Sequence, residues 1–231
     1  MPPARSLTVS DLAAMIDHTL LKAETSRPEI ETLCAEAREW GFASVCVPPY
    51  RTALAAELLK SSNVKVGTVI GFPLGANRAE IKALEAVRAI TDGATELDMV
   101  INVGAVRDDN WASVENEVSA VVKAAREHPV KLILETCLLS REDIVHACNV
   151  ALIAGARFVK TSTGFAAAGA KVEDVRLMHE TVGHQLGVKA SGGIRDRETM
   201  LKMIEAGATR IGTSAGVAIL RESRDAGAGA Y

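Results

Sequence analysis

Gly155-Ala156-Arg157-Phe158-Val159-Lys160-Thr161-Ser162-Thr163-Gly164 carries the repeating unit of this chain in one stretch. A glycine just past a helix end supplies a left-handed cap, an apolar strand begins within a few residues, and the strand runs out into a loop of Thr, Ser and Gly. The first half of the unit recurs at Gly41-Phe42-Ala43, Gly93-Ala94-Thr95 and Gly207-Ala208-Thr209, with Gly187 as a related case. Each marks a passage from helix to strand.

Helix starts fall between these junctions. Ser26 with Glu29, Asn77 with Glu80 and Ser140 with Asp143 have the spacing of capping boxes. Apolar stripes follow each: Ile30, Leu33, Cys34 and Ala37; Ile81, Leu84 and Val87; Ile144, Ala147, Cys148 and Ala151. Three more stripes begin at Trp111, Val175 and Met200. All are expected to face the core.

Strands are predicted near 16–21, 43–47, 64–70, 94–100, 130–135, 156–160, 186–190 and 208–212. Most are apolar on both faces, as a parallel sheet covered by helices requires. Eight strands alternate with helices, an extra short helix precedes them near 9–15, and no linker divides them. This predicts an α/β fold, a TIM (β/α)8 barrel forming one catalytic domain over 1–231, with 1–7 and 224–231 as flexible ends. A doubly wound open sheet is the alternative. A barrel places its chemistry at the C-terminal ends of the strands.

Composition narrows the function classes. The 231 residues are 48% hydrophobic and 24% charged, with a net charge of −3 and no basic block. Neither nucleic acid nor an anionic membrane is an expected partner. Asp11 and Asp17 interrupt the only early segment that a signal peptide would need, and no stretch approaches the length of a membrane span. The expected location is cytoplasmic. Cys34, Cys46, Cys137 and Cys148 are scattered and read as buried thiols, and no histidine spacing suggests a metal. His128, His146, His179 and His184 fall on or beside helices, whereas His18 falls in a strand. The expectation is neither a metal nor any other cofactor.

The strand ends hold few polar groups: Asp17, Asp98, Asn102, Glu135, Thr136, Lys160 and Lys189. Lys160 and Lys189 close consecutive apolar strands, which pack about 5 Å apart. Two ammonium groups about 7 Å apart at an effective dielectric near 20 repel by about 2 kcal/mol, or between one and two pKa units. One of them is then largely a free amine near neutral pH. A free amine attacks a carbonyl and forms an iminium ion, an electron sink for breaking the adjacent carbon–carbon bond. Asp98, in Glu96-Leu97-Asp98-Met99-Val100, is the candidate acid/base; a structural salt bridge is its other reading. Gly192-Gly193 after strand seven and Gly212-Thr213-Ser214 after strand eight lie where such barrels bind phosphate, with a helix start at Ala215 or Gly216.

These residues carry a resemblance. Ile16-Asp17-His18-Thr19-Leu20-Leu21-Lys22, Val69-Ile70-Gly71-Phe72-Pro73-Leu74-Gly75, Glu96-Leu97-Asp98-Met99-Val100-Ile101-Asn102 and the two lysine segments together resemble the deoxyribose-phosphate aldolase family. The likeness extends from about residue 7 to about 222. It implies a metal-free class I aldolase that reversibly cleaves 2-deoxy-D-ribose 5-phosphate to acetaldehyde and D-glyceraldehyde 3-phosphate. It implies Lys160 as the Schiff-base lysine, Lys189 as the lysine that depresses its pKa, and Asp98 as the proton shuttle, working through water. Gly164, Gly192, Gly193, Gly212 and Ser214 are the candidate phosphate ligands. Some members follow the Thr-Ser-Thr-Gly turn with a lysine that helps hold phosphate; here Phe165 stands there.

A different Schiff-base barrel, acting on another sugar, is the nearest rival, and a non-catalytic sugar-phosphate binder the more distant one. The expected partners are a small sugar phosphate and aldehydes, and the expected assembly is a homodimer or higher homo-oligomer. Tyr231, ending the Gly/Ala segment Asp225-Ala226-Gly227-Ala228-Gly229-Ala230-Tyr231, is a candidate for proton transfer if an extended tail reaches the pocket.

Overall fold

Eight short strands pair in sequence order, each parallel to the next, and the eighth closes back on the first. They are β1 (Ile16–Thr19), β2 (Ser44–Val47), β3 (Lys65–Ile70), β4 (Glu96–Val100), β5 (Val130–Ile133), β6 (Phe158–Lys160), β7 (Gly187–Ser191) and β8 (Arg210–Thr213). The computed structural model describes residues 4–228. Pairing of Ile16 with Ile211 and of Asp17 with Gly212 seals the barrel and excludes the open sheet. Each observed strand overlaps its predicted span within a few residues.

Ten α-helices are described: α1 (Val9–Ala13), α2 (Arg27–Trp40), α3 (Thr52–Leu59), α4 (Ala79–Thr91), α5 (Val103–Arg107), α6 (Trp111–Ala125), α7 (Arg141–Ala154), α8 (Val172–Val182), α9 (Arg197–Glu205) and α10 (Gly216–Ala228). α1 is the expected extra helix, closed at its start by a Thr8–Asp11 capping box. The boxes at Ser26 and Ser140 form as expected, and Gly41 and Gly155 take left-handed conformations behind α2 and α7. α3 and α5 carry no clear sequence signal: α3 has no side-chain cap, and α5 is little more than one turn.

The third expected box does not form. α4 begins after Arg78, whose side chain makes no capping bond, so Asn77 and Glu80 are not a box. The stripe of Ile81, Leu84 and Val87 is also not core: these side chains are 45%, 63% and 48% exposed. α4 instead buries Lys82, Ala86 and Ala89. Lys82 is the reason, because its amine reaches Glu117 on α6 at 2.9 Å and the Val100 carbonyl at 2.9 Å. That buried pair rotates the apolar stripe outward.

Local structure extends into both chain ends. Ala4–Ser6 forms a 3-10 turn that buries Ala4 against the core. α10 continues to Ala228. Most of the tail expected to be extended is therefore helical, and Tyr231 lies outside the described residues.

Candidate active site

The strands bring a cluster of charged side chains into the barrel interior. Asp98 on β4 lies opposite Lys131 on β5, while Lys160, Lys189 and Arg210 stand side by side on β6, β7 and β8. Asp98 Oδ2 accepts from Lys160 Nζ at 2.8 Å and from Lys189 Nζ at 2.7 Å. Its other oxygen accepts from Lys131 Nζ at 3.0 Å, and Lys131 also donates to Glu96 at 2.7 Å. Asp17 on β1 sits 2.5 Å from Lys189 Nζ and accepts from Arg210 at 2.7 Å, with Arg210 reaching Glu96 at 3.2 Å.

Burial makes the charge balance decisive. Among the described residues, the ion pairs of Lys131, Lys160, Lys189 and Arg210 are with Asp17, Glu96 and Asp98. A net buried charge is costly, and the cluster balances when one lysine is neutral. Lys160, whose one carboxylate partner is Asp98, is the lysine pushed in that direction. Burial pushes it below the ordinary lysine range; Asp98 opposes the shift and the charge of Lys189 adds to it. Burial would also lower Lys189, yet Asp17 and Asp98 outweigh it and hold the ammonium form. Asp98 resists the upward push of burial because Lys131, Lys160 and Lys189 hold it well below the carboxylate range. Asp17 is held low against burial by Lys189, Lys131 and Arg210. Cys46 lies close enough to feel these groups, but burial and then Asp98 push its thiol up to about 11, so it stays protonated.

Lys131, Glu96 and Arg210 were not among the sequence candidates. They sit at the starts and middles of strands, away from the ends where a barrel is expected to place its chemistry. A lone charge inside Val130-Lys131-Leu132-Ile133 is the same signal that marks Lys160. Asn102 is engaged elsewhere: its N–H donates to Glu117 and its side chain caps α5.

Loops behind β6 and β7 are stitched together. Thr161 Oγ1 donates to the Ser191 carbonyl at 3.1 Å, and Ser191 Oγ donates to the Ser162 carbonyl at 2.6 Å. Glu135, just past β5, holds a left-handed backbone (φ 57°) and accepts from the N–H and hydroxyl of Thr163. A left-handed non-glycine residue is strained, and here it fixes the turn behind Lys160. Gly192 has φ 88° and lies against Gly169, where a Cβ would sit 2.8 Å from the Gly169 Cα. Gly193 follows it with φ 80°, Gly164 has φ 86° in the loop after β6, and exposed Ser214 precedes α10. Gly212 departs from its expected use: it lies within β8, and its missing side chain makes room for Lys189, whose Cε would lie 3.0 Å from any Cβ placed there. A cavity of about 810 Å³ is lined by residues including Arg157, Phe158 and His179, around the starts of β6 and β7, and the Phe158 ring centre lies 6.0 Å from Lys131 Nζ. Among the described residues no group of three or more His, Cys, Asp or Glu side chains is arranged to hold a metal ion.

Known proteins share this sequence and fold. The DeoC/LacD family aldolase model matches residues 12–225. Deoxyribose-phosphate aldolase of Exiguobacterium sibiricum is 63% identical over 211 residues, covering 91% of this chain and 96% of that protein. The Caldanaerobacter subterraneus protein of the same name is 54% identical, covering 96% of this chain and 97% of its own length. Among solved structures, a putative deoxyribose-phosphate aldolase from Coccidioides immitis superposes with a TM-score of 0.92 at 43% identity, covering 94% of this chain and 87% of that one. The tetrameric deoxyribose phosphate aldolase of Aeropyrum pernix gives 0.88 at 35%, covering 95% and 93%.

Proposed function

Because the chain belongs to the DeoC/LacD family of aldolases, we propose that its chemistry runs through Lys160, with Asp98 and Lys189 moving protons beside it. The reaction is that of a class I aldolase: reversible cleavage of 2-deoxy-D-ribose 5-phosphate to acetaldehyde and D-glyceraldehyde 3-phosphate, in deoxyribonucleoside catabolism. One observation carries the assignment of the nucleophile. Of the buried lysines around Asp98, Lys160 is the one with a single carboxylate partner, and its pKa is lowered while those of Lys131 and Lys189 are raised.

The free amine of Lys160 attacks C1 of the open-chain sugar. Lys189, held as an ammonium, donates the proton that lets the carbinolamine lose water. Asp98, held as a carboxylate, accepts through water the proton of the C3 hydroxyl as the C2–C3 bond breaks and its electron pair moves into the iminium. Glyceraldehyde 3-phosphate leaves, C2 of the enamine is protonated, and water releases acetaldehyde from Lys160. Backbone N–H groups of Gly164, Gly192 and Gly193, with Ser214 at the start of α10, receive the phosphate, since glycine lets the backbone approach and a helix start favours an anion.

The protein works in the cytoplasm as a homodimer or higher oligomer of this chain. The outward stripe of Ile81, Leu84 and Val87, with Tyr50 86% exposed on the neighbouring turn, supplies the apolar face such an assembly buries. Among the described residues no helix is long and apolar enough to cross a membrane.

Acetaldehyde release from 2-deoxy-D-ribose 5-phosphate by the unaltered protein and by Lys160→Leu tests the assignment. The unaltered protein turns over and the variant does not, while its circular dichroism is unchanged, because removing a neutral amine leaves the network balanced. Turnover by Lys160→Leu overturns the role of Lys160.

A further inference from the structure

Phe72 and Phe165 stand on loops that leave β3 and β6, strands that do not touch each other in the barrel. Their rings nevertheless meet edge to face, with centroids 5.2 Å apart and planes at 87°. Three inter-strand steps of about 4.8 Å separate β3 from β6, an arc of roughly 14 Å. Each loop covers part of that distance by leaning over the strand beside it. Gly75 rests on the carbonyl oxygen of Ile101, just past β4, so closely that any Cβ would collide with that atom. On the other side, Thr163 bonds to Glu135 just past β5, and its hydroxyl oxygen accepts from the Phe165 N–H at 3.1 Å. Glu85 anchors the first loop by accepting from the Gly71 N–H at 2.7 Å. Lys160 and Asp98, contributed by β6 and β4, lie deeper and are 2% and 0% exposed. Phe165 keeps 55% of its surface open.

We propose that Phe165, seated on Phe72, is a specificity-determining residue: the two rings form an apolar crossbar over the barrel mouth, and the carbon chain of the acceptor aldehyde lies against it. This rests on Lys160 as the reacting amine. In the synthetic direction the enamine of acetaldehyde on Lys160 adds its nucleophilic carbon to the acceptor carbonyl carbon. The carbonyl oxygen takes a proton, one water hydrolyses the iminium, and a 3-hydroxyaldehyde leaves. A phosphorylated acceptor is held mainly by its phosphate. An uncharged aliphatic aldehyde has only the crossbar, so the rings set how well it is used.

Aldol addition of acetaldehyde to butanal and to D-glyceraldehyde 3-phosphate tests this in the unaltered protein, Phe72→Ala, Phe165→Ala and the double variant. The ratio of kcat/KM for butanal to that for glyceraldehyde 3-phosphate falls roughly tenfold in each single variant, the scale expected for losing an aromatic wall. It falls little further in the double variant, because two rings acting as one unit are not additive. Borohydride trapping of acetaldehyde on Lys160 persists in every variant and confirms an intact site. An unchanged ratio, or losses that multiply in the double variant, overturns the crossbar while trapping leaves the lysine assignment standing. Absence of trapping in the unaltered protein overturns the lysine assignment, and the crossbar with it.

Discussion

Lys160 and Lys189, neighbours in register on β6 and β7, place their amines on a single carboxylate oxygen, Asp98 Oδ2, at 2.8 and 2.7 Å. Their environments then diverge. Lys189 has a second carboxylate, Asp17, and is held charged, whereas Lys160 shares Asp98 and is pushed toward the free amine. In the proposed cleavage the two like residues take its two roles, nucleophile and acid.

Replacing Lys189 by Met removes the charge that helps depress Lys160. The Lys160 pKa then rises, less of it is free amine at neutral pH, and the ascending limb of kcat/KM against pH moves to higher pH. Activity lost at pH 7 is partly regained at higher pH. A pH profile that keeps its limb in place shows that Lys189 does not control the Lys160 pKa.

Asp98→Asn keeps the shape of the side chain and removes its basicity. Since positioned acid–base groups contribute roughly 10²- to 10⁴-fold, kcat falls by that order while KM changes little. Steady-state kinetics on the folded variant check this; a variant that keeps kcat assigns Asp98 a purely structural place.

Lys131 is ion-paired to Asp17, Glu96 and Asp98, and its expected contribution is to stability. Lys131→Met leaves Glu96 and Asp98 short of a buried cation, and breaking a buried pair from one side costs about 3–5 kcal/mol. Urea unfolding followed by circular dichroism reads the loss. A midpoint within error of the unaltered protein contradicts the view that Lys131 balances the interior.

The outward face of α4 is the proposed assembly surface. Leu84→Asp puts a charge in the middle of an apolar stripe and shifts the chain to a smaller species in analytical ultracentrifugation, with its fold retained. An unchanged mass places the interface elsewhere.

Much of the barrel could be read from the chain because the same local chemistry recurs: a glycine cap, an apolar strand and a polar loop. Lys160, Lys189 and Asp98 stood out as isolated charges in apolar surroundings, and the structure brings all three together. What stayed hidden depends on closure. Arg210 lies far from Asp17 and Glu96 in sequence, and only the ring of eight strands unites them. Periodicity showed the apolar stripe of α4 but not its direction, which the buried Lys82–Glu117 pair decides. The Phe72–Phe165 contact likewise joins loops from strands that are not neighbours.

The most direct measurement is borohydride reduction in the presence of acetaldehyde, followed by peptide mass spectrometry to locate the reduced ethyl adduct. A single ethylated site at Lys160 is expected, formed near neutral pH. An adduct on Lys189 with Lys160 unmodified contradicts the difference in carboxylate pairing from which the nucleophile was assigned.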